Sequence, residues 1–138
     1  MSNTKPIGVA YLDQDIIGAD FLYSDREIGY TSAAQGSVTQ ATDKSTGVTL
    51  NTSMGRITMN NAALLQQTNV VFRLNNNTIS DNDVVSVSIS GGVTTPGSYW
   101  PYVADQDAGY ATIGLFNNTA GSLSEAVVIN FVVIHGAS

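Results

Sequence analysis

The run Ala126-Val-Val-Ile-Asn-Phe-Val-Val-Ile134 constrains this chain more than any other stretch. It is dense in β-branched residues, which favours a strand over a helix of similar length. It is also far shorter than the roughly 20 apolar residues that a membrane-spanning helix needs. A strand this apolar on both faces requires a hydrogen-bonded neighbour on each side and a packed layer above and below. The run is therefore expected to be a central strand that closes the core from the end of the chain. A polar turn region, Asn117 to Glu125, leads into it.

The remainder of the chain from Gly36 reads as β. Strand candidates are Ser37–Thr42, Gly47–Leu50, Arg56–Met59, Thr68–Leu74, Asp83–Ser90, Gly97–Ala104 and Gly109–Phe116. Alternation places Ile57 and Met59 on one face, and likewise Val70, Phe72 and Leu74; Val85, Val87 and Ile89; and Ala111, Ile113 and Leu115. Pro101 lacks an amide hydrogen for a ladder, so its segment is expected at a sheet edge or a bulge. Asn60–Gln67 is the one good helix window, or else a turn, since two helical turns are marginal on their own. About seven or eight strands with turn signals between them predict an all-β fold, an antiparallel β-sandwich or jelly-roll-like barrel.

Residues 1–35 differ and are expected to form an extended N-terminal arm or oligomer-contact segment, with residues 36–138 as the sandwich domain. Glycines 8, 18 and 29 interrupt any helix, and no alternation is sustained. Yet the segment carries Tyr11, Phe21, Tyr23 and Tyr30, aromatics that need a burial site in this domain or in a partner. A second aromatic group, Tyr99, Trp100 and Tyr102, lies on the expected edge strand. Trp and Tyr are enriched at subunit interfaces, so these seven residues are the candidate interface. The edge-strand trio can also stack on sugars, which keeps a carbohydrate-binding module in view.

Composition narrows the chemistry. Only 12% of the 138 residues are charged, and the net charge is −6 with five basic residues. Nucleic acid rewards clustered Lys and Arg, so it is not an expected partner. The polar surface comes instead from Ser, Thr and Asn, which carry little mutual repulsion and suit an assembly component. Absence of cysteine excludes disulfides, thiolate metal sites and cysteine nucleophiles. The opening Met1–Pro6 has no apolar signal core, which points to synthesis in and retention by a cytoplasm.

The catalytic signals are few. His135 is the only histidine and reads as a structural or surface residue at a strand end. A Ser-His-Asp arrangement would need it together with a serine that no motif marks, so no enzyme is expected and a hydrolase ranks last. Three acidic pairs recur, Asp13/Asp15, Asp81/Asp83 and Asp105/Asp107, the last expected at a loop tip. Alternate aspartates on a loop can offer oxygens to calcium, but none here continues into an EF-hand pattern, and solvated acidic turns are the preferred reading. No metal, cofactor, membrane or small-molecule substrate is expected.

Three segments carry a resemblance: Gly36–Leu50 (GSVTQATDKSTGVTL), Gly55–Leu64 (GRITMNNAAL) and Thr119–Phe131 (TAGSLSEAVVINF). Together they resemble small virion structural proteins of tailed bacteriophages, of the capsid decoration or cement kind. The opening Pro6–Asp20 resembles phage virion proteins less specifically, and Asn75–Asp107 does not match distinctively. The resemblance implies a homotrimer on the outer capsid surface that bridges major capsid protein subunits, made in the host cytoplasm. It implies no active site. A tail-fibre or neck component is the nearest alternative.

Overall fold

A computed structural model describes residues 18–137, and Tyr11 and the Asp13/Asp15 pair lie outside them. A 3-10 turn at Ser32–Ala34 leads into eight strands. These are β1 (Gln35–Thr39), β2 (Val48–Thr49), β3 (Met54–Thr58), β4 (Asn69–Asn75), β5 (Val84–Gly91), β6 (Tyr99–Asp107), β7 (Tyr110–Asn117) and β8 (Val128–Ile134). They form two four-stranded sheets, β1-β3-β8-β5 and β2-β4-β7-β6. The sheets pack as a sandwich around Ile57, Phe72, Leu74, Ile113, Leu115, Ile129, Phe131 and Val133, all almost wholly buried.

The sandwich is the expected fold, but its sheets are mixed, where antiparallel ones were expected. β1 runs parallel to β3, and β2 parallel to β4. Parallel neighbours need a crossover connection. Here β2 lies in the crossover from β1 to β3, and β3 in the crossover from β2 to β4, because the chain alternates between sheets as it passes from β1 to β4. Spacing along the sequence is the same for either direction of pairing, so strand signals alone do not report it.

β8 is an interior strand of its sheet, antiparallel to both β3 and β5. Its expected burial on both faces is only half realised. Ile129, Phe131 and Val133 point into the core, while Asn130 and Val132 are half-buried and Ile134 is exposed on the outer face. The Asn60–Gln67 window is not a helix: it runs irregularly, turns only at Gln66 and Gln67, and at Leu64 forms an isolated antiparallel bridge to Leu123, exchanging both backbone hydrogen bonds at 2.8 and 3.0 Å. Those bonds between distant segments replace a two-turn helix that would have left most of its terminal amides and carbonyls unpaired. Pro101 does lie on an edge strand, β6.

Asp105 and Asp107 belong to the end of β6 and not to a loop tip. Between them, Gln106 reaches across to the other sheet, accepting from the Val85 N–H at 3.2 Å and donating to the Asp83 carbonyl at 2.6 Å. This side chain ties the sandwich together along its β5/β6 side.

The three segments that carry the resemblance meet around one buried cation. Lys44 is 3% exposed, and its ammonium donates to the Asn60 and Glu125 carbonyls, each at 2.5 Å. Burial lowers the Lys44 pKa, and the nearby Glu125 carboxylate partly offsets this. Gln40, also buried, donates to the Lys44 and Thr46 carbonyls and accepts from the Asn60 N–H. Glu125 in turn accepts from the Thr94 N–H at 2.7 Å. Paired polar groups of this kind satisfy loop backbone that the core would otherwise strand. They hold the lead-in to β8 against the β1–β2 and β3–β4 connections.

Candidate functional site

The seven aromatic candidates separate into an arm group, a core residue and a sheet-face group. In the arm, Phe21 and Tyr23 stack on each other with ring centroids 5.9 Å apart and stand 74% and 85% exposed. Leu22 and Ile28 beside them are exposed as well. Tyr30 is different: it is half-buried against the outer face of the first sheet, where its hydroxyl donates to the Val133 carbonyl. The arm is thus pinned at Tyr30 and presents Phe21 and Tyr23 to solvent.

Tyr99 departs from the expectation. It is 3% exposed and packs in the core, so its ring is closed to any partner. Its hydroxyl lies buried near the Glu125 carboxylate without a well-formed hydrogen bond; burial first, then that negative charge, pushes the phenol up to about 12. The reason is alternation: successive residues of a strand face opposite sides, so the Tyr99-Trp100 dipeptide divides between core and surface.

Trp100 and Tyr102 share the outer face of the second sheet. Trp100 is 57% exposed and lies against Phe116, its cross-strand partner, at 5.9 Å between ring centroids. Tyr102 lies across Gly114, where a Cβ would sit 2.2 Å from its ring, so glycine is what lets the tyrosine lie flat on the sheet. The Tyr102 hydroxyl accepts from the Asn69 side-chain amide at 2.9 Å. Val71, 42% exposed, pairs with Gly114 from the other side. Further along, the Arg73 guanidinium sits 3.7 Å from the centre of the Tyr110 ring. The result is a continuous shelf of flat apolar groups with a cationic end.

Phe116 and Val71 belong to this shelf although the aromatic clustering in the sequence did not single them out. Alternation held the signal for both. Phe116 is out of phase with the inward Ala111, Ile113 and Leu115, and Val71 with the inward Phe72 and Leu74.

Among the described residues, no group of three or more His, Cys, Asp or Glu side chains is placed to hold a metal ion, and no helix is long and apolar enough to cross a membrane. No protein-family model, curated protein or solved structure matches this chain.

Proposed function

We propose that the protein is a capsid decoration (cement) component, which binds the outer surface of a phage shell and bridges major capsid subunits as a homotrimer. The observation that carries this reading is the display of large apolar side chains on two distinct surfaces. One is the solvent-facing Phe21–Tyr23 end of the arm, and the other is the Trp100–Phe116–Tyr102 shelf. Exposed apolar groups gathered into patches mark interaction sites. A chain with two such surfaces is equipped to join two bodies, where a simple receptor or catalyst needs one.

The sparse charge supports the same reading, because surfaces rich in Ser, Thr and Asn approach one another without strong repulsion. So does the resemblance of the three segments that meet at Lys44. Interface burial in such a role offsets the outward pressure of packaged DNA, and a tail-fibre or neck position uses the same surfaces at far lower copy number. The flat Trp100 and Tyr102 rings also favour a second reading, a carbohydrate-binding module stacking on pyranose faces.

Quantitative mass spectrometry of purified virions against the major capsid protein separates these. Hundreds of copies in simple ratio to the shell are expected; a handful moves the protein to the neck or fibres, and absence overturns the virion reading. Removal of residues 1–30 is expected to abolish capsid binding with the β core still folded. Undiminished binding by that truncation rules out the arm as the contact.

A further inference from the structure

Ser53, His135 and Asp83 are far apart in the sequence and are brought together by the first sheet. Ser53 immediately precedes β3, His135 immediately follows β8, and Asp83 immediately precedes β5. Because β8 lies between β3 and β5 and runs antiparallel to both, these three positions fall at one end of three adjacent strands. The Ser53 Oγ lies 2.9 Å from His135 Nε2, and His135 Nδ1 lies 3.1 Å from Asp83 Oδ2.

We propose that Ser53, His135 and Asp83 form a nucleophilic site that hydrolyses esters of short, uncharged acyl groups. Each residue is placed for its role. The Asp83 side chain is 1% exposed, and its second oxygen accepts from the Gly136 N–H at 2.9 Å while Oδ2 also accepts from the Ser80 N–H at 2.8 Å. A carboxylate accepts only, so it draws the proton of the neutral imidazole to Nδ1 and leaves Nε2 as the acceptor facing the Ser53 hydroxyl. The hydrogen bond from the Ser80 backbone, with smaller help from Gly136 and His135, holds Asp83 down at about 2, so it stays charged at neutral pH. Gly136 is required for this approach, since a Cβ there would meet the Asn82 carbonyl oxygen at 2.2 Å. Tyr30 packs edge-on to the imidazole, 6.3 Å between centroids, and steadies its plane.

The substrate class follows from the neighbouring groove. It holds about 670 Å³ and is walled by Ile28, Tyr30, Met54, Val132, Ile134 and the His135 ring. These walls offer apolar surface and no lysine, arginine or carboxylate, which suits a short hydrocarbon acyl chain. The groove is open and His135 is 40% exposed, so the alcohol can leave to solvent. An ester, with its better leaving group, suits so open a site better than a peptide bond.

In the first step Ser53 Oγ bonds to the ester carbonyl carbon and its proton passes to His135 Nε2. The carbon–oxygen bond to the alcohol then breaks, and the departing oxygen takes that proton from Nε2. Water next adds to the acyl-Ser53 carbonyl, giving a proton to Nε2. The carbon–Oγ bond breaks, Oγ recovers the proton, and a carboxylic acid is released. Nothing is oxidised or reduced. Ser53, His135 and Asp83 lie outside both docking surfaces, although Ile28 and Tyr30 of the arm wall the groove, and failure of the activity would leave the structural role untouched.

The full chain is tested with p-nitrophenyl butyrate and with a fluorophosphonate probe, the adduct being located by peptide mass spectrometry. The expected result is labelling of Ser53 and ester hydrolysis that falls about 100-fold or more in both Ser53→Ala and His135→Ala, the scale of a lost acid–base partner. Thermal unfolding of both variants confirms that they are folded. Two results overturn the proposal: an unlabelled Ser53, or hydrolysis that survives Ser53→Ala and falls only in His135→Ala, which would leave a lone surface imidazole as the agent.

Discussion

The two ends of β8 each carry a polar cluster, and the two are built on opposite plans. At the leading end, the Lys44 ammonium and the Gln40 side chain bond almost entirely to backbone groups. At the trailing end, Ser53, His135 and Asp83 bond side chain to side chain, and only the aspartate is tied to backbone. The first cluster is sealed, with Lys44 and Gln40 at 3% and 2% exposure; the second opens at His135 onto an apolar groove. A cluster that spends its donors on orphaned carbonyls stabilises connections and has nothing left to react. One that leaves a hydroxyl against a basic nitrogen at the surface contributes less to folding and is free to do chemistry.

The largest expected effect breaks the sealed end. Lys44→Ala strands the Asn60 and Glu125 carbonyls in the interior, at about 1–3 kcal/mol for each buried group left without a partner. Urea unfolding should show a loss of about 3 kcal/mol or more. A loss below about 1 kcal/mol would mean that water reaches the carbonyls and that the two ends differ less than described.

The next effect is a pH dependence at the open end. Asp83 is held near 2 in the fold against 3.8 as the ordinary value. A carboxylate with a depressed folded pKa stabilises above its unfolded value and loses that contribution as pH falls through the folded one. Wild-type stability is therefore expected to drop between about pH 4 and pH 2. Asp83→Asn should be less stable than wild type at pH 7 and flatter across that window. Parallel stability–pH curves for the two proteins would remove Asp83 from the acid response.

The smallest expected effect sharpens the contrast. Ser53→Ala removes a hydroxyl at the rim and should alter stability by less than about 0.5 kcal/mol, the usual range for surface positions. A loss several times larger in chemical denaturation would show that the open end, like the Lys44 end, is there to hold the fold. Trp100→Ala falls in the same small range, because its ring is mostly exposed and Tyr99 next to it supplies the core contact.

Local signals located the strands well wherever residues alternate against a polar background. The inward sets Phe72/Leu74, Ile57/Met59 and Ile113/Leu115 lie in the core as the period of two demands. Pro101 marked an edge because a missing amide hydrogen is a property of the residue itself. The division between Tyr99 and Trp100 was implicit in the same period, although clustering by residue type obscured it.

What the amino-acid sequence determined by itself is therefore what one residue or one strand can express: the all-β character, the inward faces and the apolar run that became β8. What only the tertiary structure decided depends on which strands become neighbours. Parallel pairing of β1 with β3 and of β2 with β4 leaves the local pattern unchanged, since alternation is the same in either direction. Nothing in the residues next to Lys44 marks it as buried; the lead-in to β8 returns to cover it only in the fold. Ser53, Asp83 and His135 have no common spacing, because they meet through strand order and not through chain separation. Their proximity exists only once β8 has entered between β3 and β5.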